Sequence, residues 1–310
     1  MTIQPFSKFE YKLMQQLFKK AKQFQGVTHP NPVVAACIYK QDSVLSYGVH
    51  KRKGGDHAEV DAIKKAKQIV SGASMMVTLE PCTHEGETPP CVNEIIRVGI
   101  KDVVYAINDP FEPVQLKRAK SILELAGVRV RVGLYKEDAQ RLNEDYFYFH
   151  NHNRPLIHLK AAMSLDGRIA LGTGESCYIT NKQSREYVHE LRSYSKAIMV
   201  GANTLKCDNP QLTIRYNKCK KNHVNPTLIV LSSSLDLSKR YAIFDSGYPT
   251  VLITSNPEHM KQASFFSDIV YIKSLPNNMF NWAEFFDFCV KRQLYSVFLE
   301  GGAQISCLPR

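Results

Sequence analysis

Three residues constrain this chain more than any others: His57 in His57-Ala58-Glu59, Cys82 in Pro81-Cys82, and Cys91 in Pro89-Pro90-Cys91. An imidazole and two thiolates are soft-to-borderline donors that suit Zn²⁺. Three protein ligands leave a fourth position open for water, as in a catalytic rather than a structural metal site. A fold that uses them must converge three short segments on one point. Val77-Thr78-Leu79 reads as a short strand running into Glu80-Pro81-Cys82. Cys91 opens a helix over Val92–Val98, and His57 opens another over Ala58–Ile69, with Val60, Ile63 and Ala66 on one face. A helix N-terminus lowers the pKa of a thiol placed there. Taken singly, a His-x-Glu pair on a helix is an ordinary surface feature, and two nearby cysteines are ordinary core thiols. Together they place Glu59 beside the metal without ligating it. A carboxylate there can take a proton from the metal's water and deliver it to a leaving amine, the chemistry of hydrolytic deamination.

The rest of the chain limits the setting. A length of 310 residues accommodates two domains of ordinary size, each with its own core. Met1–Phe9 lack an apolar signal region and no run approaches a membrane span, so the expectation is a cytoplasmic protein with no membrane partner. The eight cysteines lack paired spacing and predict no disulfide framework. Cys37, Cys177, Cys207, Cys219, Cys289 and Cys307 read as packing or surface thiols. The net charge of +11 is spread over both halves. Its densest clusters, Lys51-Arg52-Lys53 and Lys218 with Lys220-Lys221, are short and lack interleaved aromatics. That argues against a nucleic-acid partner, whereas a phosphorylated small molecule suits a mildly basic chain. A homo-oligomer is compatible with all of this.

Along the chain, residues 10–25 read as a helix, Val33–Tyr39 and Val44–Val49 as strands, and Val103–Ile107 as a strand. Leu116–Leu125 reads as a helix ended by Gly127, and Val128–Val132 as another strand. Strands alternating with helices predict a layered α/β sheet. Asn143–Arg154, closed by Pro155, reads as the boundary between a domain over 1–150 and a second over 151–310. The second half repeats the α/β pattern. Its strands are Leu156–Met163, Ala197–Gly201, Thr227–Leu231, Thr250–Thr254, Ile269–Ile272 and Ser296–Leu299, and its helices are Asn181–Ser195 and Trp282–Arg292. It has no Gly-x-Gly-x-x-Gly fingerprint. A strand followed by Gly301-Gly302 can still hold phosphate on free backbone N–H groups.

Thr28-His29-Pro30-Asn31-Pro32, His57-Ala58-Glu59-Val60, Thr78 through His84 and Thr88 through Cys91 closely resemble the deaminase half of the bifunctional riboflavin-biosynthesis deaminase–reductases. The loop Thr83–Pro90 between the cysteines separates this pattern from the Cys-x-x-Cys deaminases. Leu159 through Ala170, Thr173-Gly174-Glu175-Ser176, Gly201 with Thr204, Asp208 through Arg215, and Glu300-Gly301-Gly302 resemble that family's reductase half. The resemblance spans Leu13 to Gly302. It implies a cytidine-deaminase-like three-layer domain followed by a dihydrofolate-reductase-like α/β domain, with Zn²⁺ and NADPH as cofactors. It implies zinc on His57, Cys82 and Cys91, and proton shuttling by Glu59. It implies a phosphorylated pyrimidine held by Asn31, His50 and His84. In the second half it implies NADPH contacts from Met163, Tyr178, Thr204, Asp208, Ser233, Gly301 and Gly302. Substrate contacts there fall to Lys160, Ser176, Arg192, Leu212, Arg215 and Glu300. The reactions implied are deamination of a diaminopyrimidinone ribosylamine phosphate and NADPH reduction of its ribosyl group to ribityl.

The chain departs from the family pattern at several positions. Glu87 stands where a cation is usual, Ala35 where a glycine is, and Tyr178 where a tryptophan is. Leu228 and Ser232 stand where an arginine and an aspartate are, and Gln115–Ala119 replaces a glycine-bearing loop. The family continues past Glu-Gly-Gly with further strands, whereas Pro309 would stop a helix begun at Ala303. An incomplete second domain with weak or absent reductase activity is therefore expected. The alternatives are a substrate-shifted or deaminase-only homologue and a non-catalytic binding protein that retains the fold.

Overall fold

The structure is a computed structural model that describes residues 6–67, 69–86, 88–169, 179–215, 223–238, 240–262, 268–274 and 280–301. The chain divides into two compact units, Met1–His152 and Asn153–Arg310.

The first unit opens on helix α1 (Lys8–Lys22). Ser7 Oγ accepts from Glu10 N, and Glu10 Oε2 accepts from Ser7 N, a reciprocal cap that starts the helix where the apolar spacing begins. Its sheet has the order β2-β1-β3-β4-β5. The strands are β1 (Ala35–Lys40), β2 (Ser43–Val49), β3 (Ser74–Val77), β4 (Asp102–Tyr105) and β5 (Arg129–Val132). β1 runs antiparallel to β2 and β3, while β3, β4 and β5 are mutually parallel. Strand side chains alternate between faces. Ile38, Met75, Val77, Val103, Tyr105 and Val130 pack one face against residues of α2 (Ala58–Lys65), α3 (Cys91–Arg97) and α5 (Ala119–Leu125). The alternate residues Tyr39 and Arg131 reach Glu10 of α1 on the opposite face. Helix, sheet and helix make three layers.

Two contacts set the geometry of this unit. Gly48 of β2 lies directly under α2, so that a Cβ there would fall 2.0 Å from Ala58 O and 2.3 Å from Ala62 N. Only glycine lets the helix carrying Glu59 dock this closely. At the unit's far side, the buried Asn143 amide accepts from Val33 N at 2.8 Å and donates to Val33 O at 3.0 Å. It bonds the Val33 backbone as a neighbouring strand would. Together with the Glu10–Arg131 pair, it fastens the start of the unit to its end.

Several elements differ from the sequence expectation: the helix expected over Ala58–Ile69 ends at Lys65, where Ala66 turns extended, and the strand expected over Leu156–Met163 ends at Lys160. The helix expected over Leu116–Leu125 is two helices, α4 (Glu112–Leu116) and α5, because Glu80 draws both the Arg118 side chain and the Ala119 N–H to itself. The strand expected at Val77–Leu79 is Ser74–Val77, and the later residues lead into Cys82 as loop. The stretch read as a boundary contains α7 (Glu144–His152), which follows α6 (Lys136–Leu142) and buries Tyr146, Phe147 and Phe149.

The second unit has a six-stranded, wholly parallel sheet of order β10-β9-β8-β7-β11-β6. The strands are β6 (Leu156–Lys160), β7 (Ala197–Gly201), β8 (Thr227–Leu231), β9 (Thr250–Thr254), β10 (Ile269–Tyr271) and β11 (Ser296–Glu300). The runs Ala197–Gly201 and Ser296–Glu300 are buried throughout, as strands covered on both faces must be. Met199, Ile229, Ile253 and Leu299 face Phe285 and Cys289 of α11 (Trp282–Lys291). Ile198, Val230, Leu252 and Phe298 face Leu205 of α9 (Ala202–Asp208) and Leu191 of α8 (Lys182–Tyr194). The side-chain amides of Asn181 and Asn281 cap α8 and α11. Helix α10 (Pro257–Gln262) follows β9.

Candidate active site

Two helix starts and one loop build the candidate metal centre. His57 is the extended N-cap of α2, Glu59 lies in its first turn, and Cys91 is the first residue of α3. Cys82 ends the loop that leaves β3, and its Sγ accepts from Cys91 N at 3.2 Å. His57 Nδ1 lies 3.3 Å from each sulfur, and the three donor atoms are within 4.8 Å of one another. Zinc bonds of about 2.0 Å to nitrogen and about 2.3 Å to sulfur separate tetrahedral N and S donors by about 3.5 Å. The donor set therefore fits zinc in both chemistry and spacing. The mutual hydrogen bond between the thiols holds Cys82 well below the usual thiol range and, with burial, pushes Cys91 above it. One sulfur is thus prepared as a thiolate. Glu59 is buried, and burial followed by the negative Cys82 raises its carboxyl to about 7. It can hold a proton at neutral pH and also release one.

The three residues expected to line the pyrimidine pocket have different surroundings. His50 is buried, and its ring lies edge-on to His57 with centroids 5.4 Å apart. Its Nδ1 bonds Asp56 O at 3.0 Å and its Nε2 bonds Asn31 Nδ2 at 3.1 Å. His84 lies on the loop between the cysteines, with its ring edge-on to Phe111 at 5.3 Å. Its Nδ1 is buried without a hydrogen-bond partner among the described residues. Glu87, on the same loop, lies outside the described residues.

The sequence reading missed a network behind this loop. The fully buried carboxylate of Glu80 accepts from Asp109 N at 3.0 Å, Arg118 Nη1 at 2.7 Å and Ala119 N at 2.9 Å. Asp109 in turn accepts from Phe111 N at 2.8 Å and from the Tyr146 hydroxyl at 2.9 Å. Burial raises the Asp109 carboxyl to about 6. Glu80 stands two residues before Cys82. The only local signal of this role is an acid directly before Pro81.

In the second unit the candidate residues gather at the carboxyl ends of the parallel strands. In open α/β sheets ligands bind at that edge, where the strand order reverses. Here the reversal falls between β7 and β11. Lys160 ends β6 in register with Glu300, which ends β11, and Gly301 follows. Thr204 and Asp208 lie on α9, directly after β7, and the exposed Ser233 follows β8. Arg192 and the buried Glu300 form a bidentate pair, Nε–Oε1 2.5 Å and Nη2–Oε2 2.8 Å, and Arg192 Nη1 also donates to Thr213 O. Leu212 is a core residue at φ 53°. Arg215 is exposed and donates to Gln211 Oε1 at 2.7 Å. Met163 is 55% exposed. The departures Leu228 and Ser232 are both buried, and Ser232 Oγ accepts from Leu235 N in the turn after β8. Ser176, Tyr178 and Gly302 lie outside the described residues, as does 302–310.

Residues 7–107 match the family "Cytidine and deoxycytidylate deaminase zinc-binding region", and residues 155–307 match "RibD C-terminal domain". The riboflavin biosynthesis protein RibD of Aquifex aeolicus is 42% identical over 81% of this chain and 69% of that protein. The RibD of Bacillus amyloliquefaciens is 34% identical over 94% of this chain and 78% of its own length. This chain belongs to the RibD family. The solved structure of Acinetobacter baumannii RibD superposes with a TM-score of 0.86 at 31% identity, covering 96% of this chain and 82% of that one. A Thermotoga maritima deaminase/reductase superposes at 0.83 with the same identity and coverage. As a RibD protein, the chain is a bifunctional deaminase–reductase of riboflavin biosynthesis, with zinc and NADPH as its cofactors. The expected deaminase-then-reductase α/β architecture is the one found. Among the described residues, no helix of this RibD is long and apolar enough to cross a membrane.

Proposed function

We propose that His57, Cys82 and Cys91 hold the zinc and that Glu59 moves the protons of the deamination. The observation that carries this reading is the convergence of an imidazole nitrogen and two sulfurs within 4.8 Å of one another, with the buried Glu59 carboxyl two residues from the imidazole. Bound zinc supplies Lewis-acid activation of water. Glu59 takes a proton from the incoming water and delivers it to the exocyclic nitrogen, which leaves as ammonia. Its carboxyl, raised to about 7, suits both halves of that transfer. The substrate is the diaminopyrimidinone ribosylamine phosphate, the compound for which the Thermotoga neighbour is named. The basic balance of the chain supports a phosphorylated small molecule. The cysteines described as free in the structure, among them Cys37 and Cys289, support a reducing, cytoplasmic setting.

In the second unit, bound NADPH would supply the hydride for the ribosyl C1′. Thr204, Asp208, Ser233 and Gly301, with Met163, form the cofactor side of the strand-end crevice. Lys160, Arg215, Leu212 and the Arg192–Glu300 pair form its substrate side, where Lys160 or Arg215 meets the phosphate. The test is mass-resolved turnover of the pyrimidine precursor with and without NADPH. The deaminated ribosyl product should form without NADPH, and the ribityl product only with it. Absence of ammonia release from the zinc-loaded protein would remove the deaminase assignment.

A further inference from the structure

The hydrogen bonds of His50 are already committed within the protein. Its Nδ1 faces Asp56 O at 3.0 Å, and a backbone carbonyl can only accept. Nδ1 must therefore carry the proton. In the neutral ring Nε2 is then an acceptor. The group that meets Nε2, at 3.1 Å, is accordingly the Asn31 amide nitrogen, which must be a donor. The tautomer of one buried ring thus decides which end of the Asn31 amide points where. The Asn31 backbone is pinned independently, its N donating to Thr28 O and its O accepting from Thr28 Oγ1. With Nδ2 held by His50, Asn31 Oδ1 is left without a partner among the described residues. The His50 ring itself is 3% exposed and sits 5.4 Å from the His57 ring.

We propose that His50 is a positioning residue that does not itself contact the substrate: it fixes the Asn31 amide so that Oδ1 is presented as a hydrogen-bond acceptor selecting an N–H of the pyrimidine. The proposal rests on the deaminase pocket described above. It assigns position 31 the task of rejecting rings that offer a carbonyl where the substrate offers a donor. An acceptor facing an acceptor is left unpaired, and such mismatches discriminate strongly.

Steady-state ammonia release is measured on the zinc-loaded full chain and on the Asn31→Leu, His50→Phe and Asn31→Leu/His50→Phe variants, with zinc content determined for each. Each single change should lower kcat/KM by about 5- to 100-fold, as expected for a buried partner left unpaired. A residue that acts only through Asn31 has nothing left to position once Asn31 is gone, so the double variant should match Asn31→Leu. Losses that multiply in the double variant would show that His50 touches substrate directly and would overturn the proposal. An unchanged kcat/KM in His50→Phe would overturn it too. If His50→Phe loses zinc or fails to fold, His50→Gln is used, because its amide oxygen can still accept from Asn31. It should recover most of the activity, and recovery no better than in Asn31→Leu again overturns the proposal. A parent protein whose ammonia release survives Glu59→Gln would instead refute the underlying assignment of the pocket, and the proposal with it.

Discussion

In the proposed deamination Glu59 is the proton carrier, and burial and the adjacent thiolate both oppose its ionisation and leave its carboxyl near neutrality. Glu59→Gln retains size and burial but cannot shuttle a proton. Ammonia release should fall about 10²- to 10⁴-fold with zinc content unchanged, read by metal analysis alongside the assay. Gly48 offers a second test that alters no functional group. Its missing Cβ would overlap Ala58 O at 2.0 Å, so Gly48→Ala must push α2 away from β2. That moves His57 and Glu59 together, and the expected outcome is loss of both zinc and activity. The converging donor cluster was legible in the sequence because few residue types bind zinc and their order is restrictive. Glu80 and Arg118 were not. They are ordinary charged residues 38 positions apart, and only the folded sheet makes one the buried anchor of the other. Nor could the sequence show that both ring nitrogens of His50 already have partners within the protein.

At the scale of elements, α1 is held to the sheet by Glu10. Burial alone would raise this carboxyl. Hydrogen bonds from Arg131, the Ser7 backbone and Tyr39 outweigh burial and hold it at about 2. A depressed carboxylate stabilises the fold above its unfolded pKa, and that stability is lost as pH falls toward the folded value. The difference in unfolding free energy between the parent protein and Glu10→Gln should therefore be on the order of 2 kcal/mol at neutral pH, shrinking from about pH 5 and gone only below about pH 2. Urea titrations across that range measure it, and a difference independent of pH would contradict the assignment. Strand positions in the second unit were readable because continuous apolar runs such as Ala197–Gly201 leave few alternatives. Helix α7 was not, because Tyr146, Phe147 and Phe149 sit among polar residues that resemble a linker until the core they fill is seen.

For the whole molecule, each unit encloses its own apolar core, and among the described residues the cluster proposed to hold zinc lies in the first. Ligands stabilise the state that binds them. Chelation should lower the melting temperature of the first unit and leave that of the second in place. NADPH should raise only the second, as resolved by scanning calorimetry. The clasp between the two ends of the first unit also bears on how the protein is made. Arg131 meets Glu10 across 121 residues, and Asn143 meets Val33 across 110. Contacts of such long range form late, after the entropy of closing the intervening loop has been overcome. His57, Cys82 and Cys91 leave the ribosome well before Arg131 and Asn143 do. Nascent chains halted short of Arg131 should therefore stay open to protease even with zinc supplied. Chains extended past α7 should become resistant in a single step, which makes the closing segment, rather than the metal, the event that completes the deaminase during synthesis.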